Sequence, residues 1–295
     1  MITQLNHLTE PQRTQVGALA EESTRSALVA PLNESALLAI AGQGSTQVMH
    51  WLLEDGNQLI GYAQLDQRDG SVQLVIRPTQ RRKGHGRRLA DRVRQDAAPQ
   101  TWWAFGDLPG AQALARSLGL RIVRGLLIMT LDLDRRLPSE SVSPPAGITI
   151  DHYRDGDLDQ FVATNAAAFA DHPEQGALTA ADMMARMASD WYRDEDLLVA
   201  RDETGSLVGF HWTKLTTGEL QVTGEVYVLG IHPSQAGRGT GRALLDAGII
   251  HMRSRGARLV ELYVEASNER VVSMYRTAGF EVTRTDVAYG AIEED

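Results

Sequence analysis

The segment Gln235-Ala236-Gly237-Arg238-Gly239-Thr240-Gly241-Arg242 alternates glycine with cationic and small polar residues. It lies between a β-branched and aromatic run, Gly224–Ile231, and a stretch carrying Leu245, Ile249 and Met252 at helical spacing. Glycines let a backbone approach a ligand closely. The first turn of a helix offers unpaired N–H groups and the positive end of the helix dipole. With Arg238 and Arg242 adding fixed charge, the chemistry is that of a pyrophosphate cradle; a glycine-rich turn without a ligand is the alternative. A Walker loop requires Lys-Ser or Lys-Thr after its last glycine, and here Arg242-Ala243 follows. A dinucleotide fingerprint requires a third glycine where Arg242 stands, although Glu261 falls near the place of a ribose-binding acid. Three more residues could do chemistry. Glu225 opens the run that leads into the loop. Asn268 and Tyr275 are seven residues apart, about two helical turns, and so share a helix face. Glu225 could equally be a solvated strand-end carboxylate, and Tyr275 a packing residue.

The elements that must position these residues alternate. Leu197–Arg201 and Leu207–Leu215 read as a strand pair around the turn residues Asp202-Glu203-Thr204-Gly205. Gly224–Ile231 is a strand, Gly241–Ser254 a helix, and Leu259–Val264 a strand. Ser267–Thr277 is a helix with Ser267 as N-cap and Gly279 just past its end, and Phe280–Tyr289 is a last strand. The same punctuation occurs earlier in the chain. Ile76-Arg77-Pro78 and Gln80-Arg81-Arg82-Lys83-Gly84-His85-Gly86-Arg87 stand 155 residues before Ile231-His232-Pro233 and Gln235–Arg242. Gln58-Leu59-Ile60-Gly61-Tyr62 mirrors Ser206-Leu207-Val208-Gly209-Phe210, and Arg116–Leu120 mirrors Arg276–Phe280. Such ordered repetition marks an internal duplication. The breaker-rich stretch Pro138–Pro145 separates the halves. The expected organisation is a domain at 1–137, a linker at 138–147 and a second domain at 148–295, each of mixed α/β layers.

A length of 295 residues suits two domains. A net charge of −9 argues against general nucleic-acid binding, which needs a basic surface. The absence of cysteine excludes disulfides, thiolate zinc sites and a cysteine nucleophile. His172 precedes a proline and has no partner histidine at ligand spacing, so it reads as structural and no metal is expected. The N-terminus lacks signal-peptide features, and no apolar run approaches the ~18–20 residues of a membrane span. The expectation is a soluble, cytoplasmic protein.

The set Val228–Ile231, Gln235-x-x-Arg238-Gly239-x-Gly241, Asn268 and Tyr275 resembles the GNAT superfamily of N-acetyltransferases. Within it, four strings resemble the tandem-domain mycothiol synthase family: Ala168–Gly176, Gly209–Lys214, Gly224–Pro233 and Leu262–Glu265. The resemblance covers nearly all of both halves. It implies a tandem GNAT fold, each domain a mixed, mostly antiparallel sheet flanked by helices. It implies acetyl-CoA as donor and, as acceptor, the cysteine amine of cysteinyl-glucosaminyl-inositol, in the last step of mycothiol formation. It makes Glu225 the candidate base and Tyr275 the group that hydrogen-bonds or protonates the leaving thiolate. It assigns coenzyme binding to Leu229, Gly230, Ile231, the loop Gln235, Ala236, Gly237, Arg238, Gly239, Thr240, Gly241 and Arg242, and to Asn268, Arg270 and Ser273. The strand is implied to splay from its neighbour and leave the amides of Leu229–Ile231 free. Substrate contacts are implied at Glu34, Glu174, Lys214, Glu225 and Tyr263; surface charge is the bland alternative for Glu34, Glu174 and Lys214. Where the family has alanine three residues after the asparagine, this chain has Val271, which crowds the coenzyme channel slightly.

In the first half the corresponding coenzyme residues are Leu74, Val75, Ile76, Arg82, Lys83, Gly84, His85, Gly86 and Arg87, with a solvated basic patch as the alternative for Arg81-Arg82-Lys83. Ala111–Ser117 stands where the asparagine–tyrosine helix should be, and Ser71–Leu74 where Glu225 should be. The first half is therefore expected to be catalytically silent, and the protein to be a monomer acting on a small-molecule amine. Two other functions fit the motifs: a tandem acetyltransferase for another amine or a protein N-terminus, and a non-catalytic acetyl-CoA sensor. The polar set Glu174, Lys214 and Tyr263 speaks against a peptide groove, and Glu225 with Tyr275 against a sensor.

Overall fold

A computed structural model describes residues 1–42, 47–56, 58–135, 142–170, 173–218 and 221–291. The chain forms two compact units. One comprises Met1–Leu127, Glu265–Ser267 and Arg284–Asp295; the other comprises Ile128–Val264 and Asn268–Thr283.

The first unit runs β1 (Ile2–Leu5), α1 (Glu10–Ala27), α2 (Glu34–Ala41), β2 (Val48–Asp55), β3 (Gln58–Asp66), β4 (Ser71–Ile76), α3 (His85–Asp96), β5 (Thr101–Ala104) and α4 (Pro109–Ser117). The strands β1 to β5 lie side by side in that order, antiparallel except for the parallel pair β4/β5. A parallel pair needs a long crossover, and α3 supplies it. Leu89, Ala90 and Val93 of α3 pack with Trp51, Leu53, Ile60 and Val72. Val16 and Leu19 of α1 pack with Leu52, Tyr62 and Val75. Neighbouring strand residues thus feed different clusters, the period of two that a sheet covered on both faces requires.

β6 (Arg121–Asp132) passes from the first unit into the second at Leu127/Ile128. There follow β7 (Thr149–His152), α5 (Leu158–Ala168), α6 (Pro173–Gly176), α7 (Ala180–Met187), β8 (Leu197–Arg201), β9 (Leu207–Thr217), β10 (Val222–Ile231), α8 (Thr240–Ser254), β11 (Ala257–Glu265), α9 (Glu269–Ala278) and β12 (Glu281–Gly290). In the second unit β7 to β11 lie side by side, with Ile128–Asp132 of β6 beyond β11. The parallel pair is β10/β11, with α8 as its crossover. From Arg284 onward β12 joins the first unit, where Val287–Gly290 pair with Thr101–Ala104 of β5. Compactness therefore groups 128–135 with the second unit and 284–291 with the first. The sequence halves, in contrast, meet at the 138–147 stretch, of which 138–141 lie outside the described residues.

The second core also has two faces. Leu197, Val199, Phe210 and Trp212 pack with Phe161 of α5 and Met183 of α7, whereas Leu198, Ala200 and Val208 pack with Leu244 of α8. The rings of Phe161 and Phe210 meet edge to face at 4.6 Å. His211, fully buried on β9, shares a hydrogen bond with the Leu244 carbonyl through Nδ1 (2.9 Å), and burial lowers its pKa to about 4, so the ring is neutral and donates.

The duplication extends to backbone geometry. Gly84 and Gly239, the N-caps of α3 and α8, have φ of 82° and 93°, and Arg82 and Gly237 have φ of 61° and 76°. Each helix then carries the same i,i+4 ion pair, Arg87–Asp91 and Arg242–Asp246. Among the described residues no helix is long and apolar enough to cross a membrane, and no group of three or more His, Asp or Glu could hold a metal ion.

The placement of α8 depends on a missing side chain. A Cβ at Gly248 would lie 2.1 Å from His211 Nδ1. Elsewhere in a helix Gly→Ala is stabilising by roughly 0.5–1 kcal/mol. Here Gly248→Ala is expected to destabilise by about 1–3 kcal/mol through overpacking. Thermal unfolding checks this: Tm should fall, and a raised Tm would refute the contact.

Candidate active site

The site is built where two strands part. β10 runs antiparallel to β9, with Glu225 opposite Lys214 and Val226 opposite Thr213. The register then slips: Val228 faces Trp212, leaving Tyr227 as an extra residue. On its other side β10 pairs in parallel with β11 only as far as Glu225↔Glu261. Beyond that pair Leu229, Gly230 and Ile231 have ladder partners on β9 and none on β11 among the described residues. In an antiparallel pair alternate residues turn their amides toward the partner and the others turn away. Residues of β10 that turn away from β9 beyond this point have no β11 partner in the ladder among the described residues.

The strand feeds the glycine loop. Pro233–Gln235 form a short 3-10 turn, Gly237 and Gly239 take positive φ, and α8 begins at Thr240. Ala236, Gly237, Arg238 and Gly239 are exposed, Gln235 is half-buried, and Arg242 is tied to Asp246 at 2.9 Å. Thr240 is buried, yet its Oγ1 has no hydrogen-bond partner among the described residues. Such an atom at the first helical position, beside unpaired N–H groups, suits a polar ligand. The helix α9 lies over the loop: Arg270 Nη2 is 3.0 Å from where a Gly237 Cβ would stand, and Met274 Sδ is 3.9 Å from the Gly241 equivalent.

The structure brings most of the expected residues into the second unit. Glu225 and Lys214 are half-buried cross-strand neighbours. Lys214 Nζ lies 5.2 Å from the ring centroid of Trp191 and 5.6 Å from that of Tyr227. Tyr263 is on β11 two residues past the last paired position and is 46% exposed. Tyr275 is 6% exposed and stacks edge to face on Phe280. Burial pushes its phenol well above the ordinary tyrosine range, because the charged form would lose its hydration. Asn268, not Ser267, caps α9: the Val271 N–H donates to Asn268 Oδ1 at 3.3 Å. Asn268 is exposed at the N-cap of α9, seven residues before the buried Tyr275. Ser273 and Arg270 are exposed on α9. The backbone of Glu174 is in α6; its side chain, like His172, lies outside the described residues. Glu34 belongs to the first unit, exposed in the first turn of α2.

Sequence reasoning missed the bulge at Tyr227 and the aromatic cluster beside it. Trp191, Tyr192, Trp212 and Tyr227 have ring centroids 5.0–5.8 Å apart for four of their pairs. The available signal was the alternation of Trp212 and Lys214 on one strand face.

The first unit has a related but simpler arrangement. β3 and β4 pair without a slip from Gly61↔Ile76 to Asp66↔Ser71, and β4/β5 pairing ends at Gln73↔Trp103. A cavity of about 510 Å³ opens there, lined by Leu74, Trp103, Phe105, Leu114, Arg82 and Gly86 among others. His85, equivalent to Thr240, likewise has a buried Nδ1 without a partner among the described residues. Lys83 Nζ bonds Gln80, and Arg87 bonds Asp91 and the Ser117 carbonyl. Val75 and Ile76 are buried.

Comparison with known proteins agrees with this geometry. The model of the acetyltransferase (GNAT) family matches residues 18–120 and 166–280. The chain is 50% identical over 282 residues to a mycothiol acetyltransferase of Propionibacterium freudenreichii subsp. shermanii, covering 96% of this chain and 89% of the relative. It is 44% identical over 289 residues to a mycothiol acetyltransferase of Thermomonospora curvata, covering 96% and 94%. Among solved structures, a GCN5-related N-acetyltransferase from Sphaerobacter thermophilus is similar with a TM-score of 0.72 at 23% identity, covering 99% of this chain and 98% of that one. A tandem GNAT protein from the clavulanic acid biosynthesis pathway gives a TM-score of 0.71 at 19% identity, covering 100% and 99%. At these identities the two structures speak to the fold alone.

The burial of Tyr275 has a spectroscopic consequence. An exposed tyrosine ionises near pH ~10, whereas Tyr275 is expected to stay protonated well past that. Phenolate absorbance of the wild type minus that of Tyr275→Phe should stay flat to about pH 11. A difference signal with its midpoint near the ordinary value would contradict the burial argument.

Proposed function

The chain belongs to the acetyltransferase (GNAT) family, among its mycothiol acetyltransferases, and we propose that its second half moves the acetyl group of acetyl-CoA onto the cysteine amine of cysteinyl-glucosaminyl-inositol. One observation carries the assignment of the site: β10 parts from β11 just past Glu225 and then runs straight into the glycine loop. A carboxylate, amides turned away from β9 and a phosphate-type helix N-terminus thus follow one another along a single strand and its exit.

The residues fit the donor. Two backbone positions with positive φ, the start of α8 and the orphaned Thr240 Oγ1 suit a pyrophosphate. Gln235 to Arg242 and Arg270 would hold it, Asn268 and Ser273 would contact the pantetheine arm, and amides of Leu229–Ile231 would bond the carbonyls. Glu225 accepts a proton from the acceptor ammonium, giving the neutral amine that attacks the thioester carbon. The oxyanion so formed receives strand amides as donors. The C–S bond then breaks as the Tyr275 hydroxyl passes its proton to the departing sulfur, and the second proton shed by the attacking nitrogen restores the phenol, so the products are the amide, the CoA thiol and the proton held by Glu225. A phenol kept neutral by burial is suited to that donation. Lys214, Tyr263, Glu174 and Glu34 are the proposed contacts to the polyhydroxylated acceptor.

We assign the two sequence halves, 1–137 and 148–295, as tandem domains, the first coenzyme-binding and silent. Its strand has no bulge, no glutamate at the parting and no tyrosine equivalent on α4. The enzyme is then a cytoplasmic monomer, since donor and acceptor are both soluble small molecules and the reacting groups come from one chain.

Two sets of variants test this. Glu225→Gln should lower kcat/KM for the amine by about 10²–10⁴-fold near neutral pH. That loss should shrink as pH rises and the free amine forms unaided. Tyr275→Phe should lower the rate with a loss that does not shrink in this way. A wild-type pH–rate profile for Glu225→Gln would remove Glu225 as base. In the second set, Gly239→Val forces a β-branched residue to a φ of 93° and should abolish acetyl-CoA binding at the second-half site. Gly86→Val, whose Cβ has room at 3.6 Å from Leu114, should leave turnover within a few-fold of wild type. Titration calorimetry and steady-state rates separate the two; equal loss of turnover would mean that the first half is not silent.

A further inference from the structure

We propose that Trp191 and Tyr227 form an aromatic cage around the Lys214 ammonium and act as positioning residues that aim it at the hydroxyl oxygens of the acceptor. The distances of 5.2 and 5.6 Å from Nζ to the two ring centroids lie within the range of cation–π attraction. The walls form a corner, with the rings 5.0 Å apart and inclined at 63°. They are also braced. The fully buried Trp212 contacts Trp191 at 5.8 Å and Tyr227 at 5.5 Å, and Tyr192 packs on Trp212 at 5.5 Å. A lysine side chain is long and rotamer-rich, and holding it before the acceptor arrives removes an ordering cost from binding.

The cage exists because of the bulge. Tyr227 is the extra residue of β10, and both it and Val228 pack against the cluster of Phe161, Phe210 and Trp212. In a regular strand adjacent residues would face opposite ways. The slip that lies at the parting of β10 and β11 therefore also supplies one wall of the cage. Two sides of the ammonium face rings, and its other sides are left for oxygen acceptors. This suits hydroxyl or carbonyl oxygens on a polyhydroxylated acceptor. In the first unit the strand without a slip has Val72, 155 residues before Tyr227, so it offers no aromatic wall at that position. Arg186 also lies over Tyr227, at 5.9 Å, so changing Tyr227 would disturb two cations. Trp191 is the cleaner position to change.

This inference rests on the proposal that Lys214 contacts the acceptor, and the test separates the two. The ε-methylene NMR resonance of Lys214, identified by its loss in Lys214→Met, should be shifted upfield by the rings and should return toward the exposed-lysine position in Trp191→Leu. Trp191→Leu should raise KM for the amine by about 10-fold with kcat and KM for acetyl-CoA little changed, whereas Trp191→Phe should retain most of the affinity. In the Lys214→Met background, Trp191→Leu should have no further effect. An unshifted resonance in the wild type, or a full KM increase in the Lys214→Met background, overturns the cage. A shifted resonance combined with an unchanged KM in Lys214→Met overturns the acceptor contact instead, and with it any role of the cage in binding.

Discussion

The parting of two parallel strands governs what the second unit can do. Parallel β10 and β11 are bonded from Val222↔Ala257 to Glu225↔Glu261 and no further among the described residues. A strand pair leaves no room for a ligand between its backbones, and its amides are already occupied. Once pairing stops, the amides that turn away from β9 need other partners, and the extra residue at Tyr227 re-aims the strand at that point. Core packing keeps the opening in place. Phe210 and Trp212 anchor β9 on one face, while Val208 and the neutral His211 fix it to α8 on the other. The helix that carries the glycine loop is thereby tied to the strand that carries Lys214, and Gly248 allows that contact.

The two units show which parts of such a site can be inherited separately. The loop is duplicated to the level of backbone angles and of an ion pair on the following helix. Among the described residues the first half has no slip between β3 and β4, no glutamate at the parting of β4 and β5, and no tyrosine on α4. What the first half keeps is a loop and a largely apolar cavity, without the residues proposed above as base and acid. That difference in residues, more than any difference in fold, is the basis for assigning chemistry to one half.

Much of this was legible in the residues. The loop could be read because glycine is the residue that takes positive φ without strain, and Gly237 and Gly239 do so. Strand and helix bounds in the second half fall within a few residues of those expected from the hydrophobic period. The cap of α9 was misplaced by one residue because Ser267 and Asn268 are both good cap formers, and only the side-chain bond to Val271 decides between them. The bulge was not legible, since Tyr227 fits a β-rich run whether or not it is paired. Nor was the division of β6 at residue 128 and of β12 at residue 284, which only three-dimensional packing assigns. Arg82 gave no warning either, since an arginine at positive φ is uncommon and here stands at the place of a glycine.

The most direct test of the central claim is the fate of the acetyl group. The full-length protein would be incubated with acetyl-CoA and, separately, cysteinyl-glucosaminyl-inositol, an aminoglycoside and a peptide with a free N-terminus, with products followed by mass spectrometry before and after hydroxylamine. Acetylation of the cysteinyl compound, stoichiometric with CoA release and resistant to hydroxylamine as an amide is, would support the account. Transfer to another amine in preference, or CoA binding with no acetylated product in any of the three, would contradict it.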